Sequence, residues 1–328
     1  MPLDPQTQAL LEQMNAAEAP PLHTLTPTEA REVMFELAAM GGDPDPVAQV
    51  QDRAIPGPAG DIPVRIYTPV GDGPFPVLVY FHGGGWVIGD RDTHDVPCRN
   101  LANRARCVVV SVDYRRAPEH KFPAAPQDCL AATRWAAVNA AEFNGDPLRI
   151  AIGGDSAGGN LAAVVAQMAR DEGGPALVGQ LLIYPVTDYY APGKPSYIEN
   201  ADGYLLTRDA MVYFWNHYLN TPAEADNPYA APLRAADLSN LPPAFVLTAQ
   251  YDPLRDEGEQ YADRLRAAGV QTHRQCYGAT IHGCVSLAGV LDIGRVATDD
   301  AAAWLRECFA AQTLQRERGE VSATDPVR

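Results

Sequence analysis

The sequence predicts an α/β fold: a mostly parallel central sheet flanked by helices, with a helical cap. Short, near-continuous apolar runs rich in β-branched residues alternate with helical patterns, as expected for strands covered on both faces. One interval of ~60 residues breaks the alternation and far exceeds the loops usual in such units. With 328 residues, 46% hydrophobic and 20% charged, the chain has material for one large core and an addition.

Along the chain, Thr26-Pro27-Thr28-Glu29 forms a capping box with proline at the first helical position. Ala30, Val33, Met34 and Leu37 follow at helical spacing until Gly41-Gly42 stops the helix. A connector rich in proline and aspartate leads to β-rich runs at 64–67, 77–81 and 107–112. Further runs at 149–152, 180–184 and 244–248 are spaced by helical segments such as 160–170 and 255–268. The long interval contains a helix candidate over 207–219, with Met211, Phe214, Trp215, Tyr218 and Leu219 on one face. That stripe is expected to bury, and part of it, with the N-terminal helices, to roof a pocket at the strand ends. Trp86, Met211 and Phe214 are the expected pocket residues. The expected division is a cap from residues 1–48 and 188–225, a core from 49–187 and 226–315, and a frayed tail over 316–328.

Charge and composition narrow the function. Twenty-five Lys and Arg against 41 Asp and Glu give a net charge of −16, which repels nucleic acid and anionic membrane surfaces. No apolar run approaches the ~20 residues needed to span a bilayer. Residues 1–20 carry Asp4, Glu12 and Glu18 and no Lys or Arg, unlike a signal peptide, so a cytoplasmic location is expected. Six cysteines without a C-x-x-C pair match neither a zinc spacing nor a disulfide framework. Neither metal nor organic cofactor is expected, and a homodimer is left open.

Gly154-Asp155-Ser156-Ala157-Gly158 lies between the 149–152 run and the helical segment that follows. This is the arrangement of a nucleophile elbow, in which a tight strand-to-helix turn presents the serine and the helix N-terminus favours developing negative charge. A phosphate-binding turn is the rival, but no Gly-Lys-Ser/Thr is present and the G-x-G-x-x-G spacing is not met cleanly. His82-Gly83-Gly84-Gly85-Trp86 follows the 77–81 run, where glycines let backbone N–H groups reach a substrate. Gly84 and Gly85 are the preferred oxyanion donors with Gly83 close behind, and Ala157 supplies the donor after the nucleophile. The order serine, acid, histidine confines the remaining partners to residues after Ser156 and leaves His82 a structural role. Of His217, His273 and His282, only His282 lies in a glycine-flanked loop beyond a strand. Asp252 directly follows the 244–248 run; Asp188, at another strand end, is the alternative. Asp256 and Asp263 on the next helix, and Asp202, Asp209 and Asp226 in the insertion, are placed less well.

These motifs, together with Tyr251-Asp252-Pro253-Leu254-Arg255-Asp256-Glu257, His282-Gly283 and Asp113-Tyr114-Arg115-Arg116-Ala117-Pro118-Glu119-His120, resemble the hormone-sensitive lipase family of bacterial carboxylesterases from about Val64 to Trp304. The resemblance implies an α/β-hydrolase fold with a cap of N-terminal helices and an inserted segment. It implies Ser156 as nucleophile, Asp252 as acid and His282 as base, acting on a small-molecule ester through an acyl-enzyme. Short to medium acyl chains are expected. Arg116 stands where the family usually has an apolar residue, and Cys284 replaces an aromatic one, so that the pocket near His282 is expected to differ in shape on account of Cys284.

Overall fold

A computed structural model describes residues 2–17 and 19–317, with side chains as far as Leu314. Among them, β1 (Gln49–Gly57), β2 (Gly60–Thr68), β3 (Phe75–Phe81), β4 (Val108–Val112), β5 (Gly145–Asp155), β6 (Gly179–Ile183), β7 (Ala244–Tyr251) and β8 (Thr272–Ile281) form one sheet. Its order is β1-β2-β4-β3-β5-β6-β7-β8. The pairings of β2 with β1 and β4 are antiparallel, and all others are parallel.

The inner strands β3, β4 and β6 are buried along their whole length because both faces are covered, whereas β8 at the edge is largely polar. In β3, Val77, Val79 and Phe81 join one apolar cluster with Leu130 of α4 (Ala124–Asn139) and Val165 of α5 (Ala157–Asp171). Leu78 and Tyr80 join the other with Leu101 of α3 (Asp95–Ala105) and Leu305 of α9 (Asp292–Glu317). The helix α8 (Arg255–Ala267) connects β7 to β8.

The strand β1 falls in the stretch read as a connector. It is a mostly exposed edge paired only with β2, so Asp52, Arg53 and Pro56 obscure its alternation. At the N-terminus lie α1 (Pro5–Ala16) and α2 (Pro27–Ala38), the latter held by the expected reciprocal bonds between Thr26 and Glu29. Between β6 and β7 lie α6 (Pro195–Glu199) and α7 (Arg208–Tyr218), with Thr207 capping α7. Residues 316 and 317 end α9; the rest of the tail expected to fray lies outside the described residues. No described helix is long and apolar enough to cross a membrane.

Candidate active site

The elbow is built by close approach of backbone. Ser156 bridges β5 and α5 with φ 57° and ψ −118°, a conformation that costs about 1–3 kcal/mol and persists only where its surroundings enforce it. Its N–H donates to the Ile183 carbonyl at 2.8 Å, and its carbonyl accepts from Asn160 at 3.0 Å and Val186 at 3.2 Å. A Cβ at Gly158 would collide with the Phe81 carbonyl oxygen, so only glycine lets α5 start this close to β3.

The ends of β5, β7 and β8 bring three side chains together. Asp252 directly follows β7 and is fully buried, and its Oδ1 accepts from the Leu254 N–H at 2.8 Å. Its Oδ2 lies 2.7 Å from Nδ1 of His282, the residue after β8. Nε2 of the same ring lies 3.0 Å from Ser156 Oγ. The carboxylate can only accept, so Nδ1 carries the proton and Nε2 presents a lone pair to the hydroxyl. Ser156 and His282 are 7% and 9% exposed, enough to be reached from the cavity above them.

The other candidates sit elsewhere. Asp188 is held by Lys194 and Arg234 at 2.8 Å each. His217 on α7 packs edge-on against Tyr213, and His273 lies at the opposite end of β8 against Phe245. His82 donates from Nδ1 to the Gly83 carbonyl and stacks on Tyr114. Burial, and then the charge of His94, push its pKa down to about 3, so it stays neutral and structural.

A cavity of about 110 Å³ covers the serine and histidine. Gly84, Gly85, Tyr184 and Leu287 line it from the sheet side, Leu22, Met34, Leu37 and Ala38 from the N-terminal segment, and Leu205, Leu206 and Phe214 from the insertion. Among the expected pocket residues, Phe214 reaches this cavity. Trp86 does not: its φ of 60° sends the indole into the core, stacked on Tyr218 with centroids 4.1 Å apart. Met211, one turn before Phe214, is also buried away from the lining. A larger cavity of about 570 Å³, beside Trp304 and His273, contains no serine–histidine pair.

The glycine loop needs one correction. The Gly83 N–H donates to Asp155 Oδ1 at 3.1 Å, so it is not free for a ligand. Gly84 and Gly85 line the cavity beside Ser156, and Ala157 opens α5, where a helix leaves its first amides unpaired. Asp155, His94 and Tyr184 were not singled out by sequence; Asp155 stood inside the elbow motif, while His94 carried no local signal. Arg116 donates to the Gly89 carbonyl at 2.6 Å, and Cys284 is fully buried, with Ser286 and Leu287 forming the wall near His282.

Comparison with known proteins agrees with this fold. A family model described as the alpha/beta hydrolase fold matches residues 78–286. The chain is 49% identical over 255 residues to the carboxylesterase NlhH of Mycobacterium tuberculosis, covering 76% of this chain and 80% of NlhH. It is 49% identical over 244 residues to the carboxylic ester hydrolase LipN of the same organism, covering 73% of this chain and 65% of LipN. A hyperthermophilic esterase structure from the archaeon Pyrobaculum calidifontis matches with a TM-score of 0.90 at 44% identity, covering 94% of this chain and 99% of that one. With relatives at nearly half identity across most of the sheet, the chain belongs to the α/β-hydrolase fold family, as a carboxylic ester hydrolase of its hormone-sensitive lipase-like branch.

Proposed function

We propose that Ser156, His282 and Asp252 carry the ester hydrolysis of this chain, on neutral esters with short to medium acyl chains. The observation that carries the reading is the continuous run from Asp252 through His282 to Ser156, at 2.7 and 3.0 Å. Ser156 Oγ attacks the ester carbonyl while His282 Nε2 takes its proton, and Asp252 stabilises the resulting imidazolium. The Gly84, Gly85 and Ala157 amides hold the oxyanion, each contributing about 2.7–4 kcal/mol if comparable to measured donors. His282 then protonates the leaving alcohol, and water repeats the attack on the acyl-enzyme.

Two features support the substrate class. Among the described residues no lysine or arginine lines the cavity, so nothing there complements an anionic acyl group. Its volume of about 110 Å³ is smaller than the ~150 Å³ cavity that holds benzene in another protein, which favours short chains. Lining residues from 22–38 and from 205–214 support a cap made of 1–48 and 188–225 over a core of 49–187 and 226–315. The singly buried Cys98, Cys107, Cys129 and Cys284 fit a cytoplasmic setting.

Rapid mixing with a 4-nitrophenyl ester tests the reading. One nitrophenol per chain is expected before the steady state, and none from Ser156→Ala at an unchanged Tm. An undiminished burst from that variant overturns it.

A further inference from the structure

Asp155 precedes Ser156 in the elbow and lines the same cavity, yet its carboxylate faces the glycine loop. Oδ1 accepts from the Gly83 N–H at 3.1 Å and from the Tyr80 hydroxyl at 2.7 Å. It therefore anchors the first amide of the loop whose next two amides are the proposed oxyanion donors. A bare carboxylate so close to the serine would oppose the forming oxyanion, because a buried charge is poorly screened.

A second buried side chain answers that charge. His94 lies 61 residues earlier, completely enclosed, with Nε2 3.3 Å from Asp155 Oδ2. Its Nδ1 faces the Asp90 carbonyl at 3.3 Å and Thr93 Oγ1 at 3.0 Å. Thr93 Oγ1 has one hydrogen and two acceptors in reach, the Asp90 carbonyl at 2.9 Å and His94 Nδ1. With the Thr93 hydrogen on the Asp90 carbonyl, both ring nitrogens face acceptors and the doubly protonated imidazolium fits the site. The Gly83 N–H is also 3.2 Å from Nε2, which cannot accept once protonated, leaving Asp155 as the acceptor.

The electrostatics agree with the geometry. Burial alone would lower the pKa of His94, but the charge and hydrogen bond of Asp155 raise it. Burial would raise that of Asp155, but His94 and the Tyr80 hydroxyl lower it. Of the other titratable groups acting on the His94 ring, the Asp90 carboxylate also raises its pKa, His82 at 5.5 Å is held neutral, and Tyr80 at 6.5 Å has its phenol pushed far up by burial.

We propose that His94 serves the reaction as the buried counter-ion of Asp155, so that a carboxylate can anchor the oxyanion loop without its charge opposing the oxyanion. His94 touches neither substrate nor the reacting atoms; it is a positioning residue that acts through Asp155 and Gly83. This role rests on the functions proposed above for Ser156 and the loop amides.

His94→Gln keeps a polar side chain beside Asp155 and removes the positive charge. With rates taken per active site titrated by the burst, kcat/KM is expected to fall about 10–100-fold at nearly constant KM, with acylation and deacylation both slowed. Adding Asp155→Asn removes the unpaired buried charge, so the double variant is expected to be several-fold faster than His94→Gln alone. A fall smaller than about threefold, or a double variant no faster than the single, overturns the proposal. In the wild-type protein, nitrogen-15 spectra are expected to show both His94 nitrogens protonated at neutral pH. A neutral ring there overturns the proposal even where the variants fail to fold. Failure of the Ser156 reading would instead leave no serine-dependent burst to titrate, a distinguishable result.

Discussion

His282 Nε2 stands 3.0 Å from Ser156 Oγ although 126 residues separate the two along the chain. That bond requires the proton on the other ring nitrogen, and Asp252 keeps it there. Asp252→Asn is therefore expected to retain the fold while presenting the wrong tautomer, lowering kcat by about 10⁴-fold, the size of effect known for the equivalent change in another serine hydrolase. Steady-state rates and a thermal melt on the same sample check this; an unaltered kcat contradicts it.

Phe214 of α7 and Gly85 pack against each other where the segment between β6 and β7 meets the glycine loop. A Cβ on Gly85 would collide with the Phe214 ring, and the glycine holds φ at 58°, where other residues are strained. Gly85→Ala is expected to displace the loop amide and lower kcat by about 10²-fold or more, as loss of an oxyanion donor does.

Shortening Phe214 opens the wall instead. Phe214→Ala is expected to cost about 3–5 kcal/mol of stability and to move the acyl-chain optimum toward longer esters. Hydrolysis rates over a series of chain lengths test it, and an unmoved optimum counts against Phe214 as the limit.

Glu257 gives a pH test that does not involve catalysis. It is fully enclosed on α8, where it accepts from the Thr187 and Asp188 amides at 2.8 and 3.2 Å. Burial outweighs those bonds and pushes its pKa from 4.5 up to about 8. Between these values the folded chain keeps a proton that the unfolded chain releases. Its contribution to stability is fully present below about 4.5 and lost as pH rises through about 8. Glu257→Gln cannot titrate, so it is expected to gain on the wild type by roughly 1.4 kcal/mol for each pH unit of that window. Denaturant unfolding at both ends of the window reads the difference; parallel stability curves contradict it.

What could be read from sequence was what local chemistry dictates. The elbow and the meeting of Ser156, Asp252 and His282 were legible because a strand-to-helix turn needs small residues beside the serine and because Asp252 and His282 directly follow strands. The destination of Trp86 was not, because it depends on one backbone angle. Gly83 looked like its two neighbours, and only the direction of its N–H toward Asp155 sets it apart. Long-range polar anchors carry no local signal. Arg31 of α2 bonds the Val87 and Ala117 carbonyls and the Glu119 carboxylate, joining segments 56 to 88 residues apart. His94 meets Asp155 in the same way, through the return of the chain to neighbouring strands.

The most direct measurement is to quench the enzyme during turnover of a slowly deacylated ester and locate the bound acyl group by peptide mass spectrometry. The adduct is expected on Ser156, near one per chain, and absent from Ser156→Ala. An adduct on any other residue, or none at all under conditions that give a burst, contradicts the acyl-enzyme at Ser156.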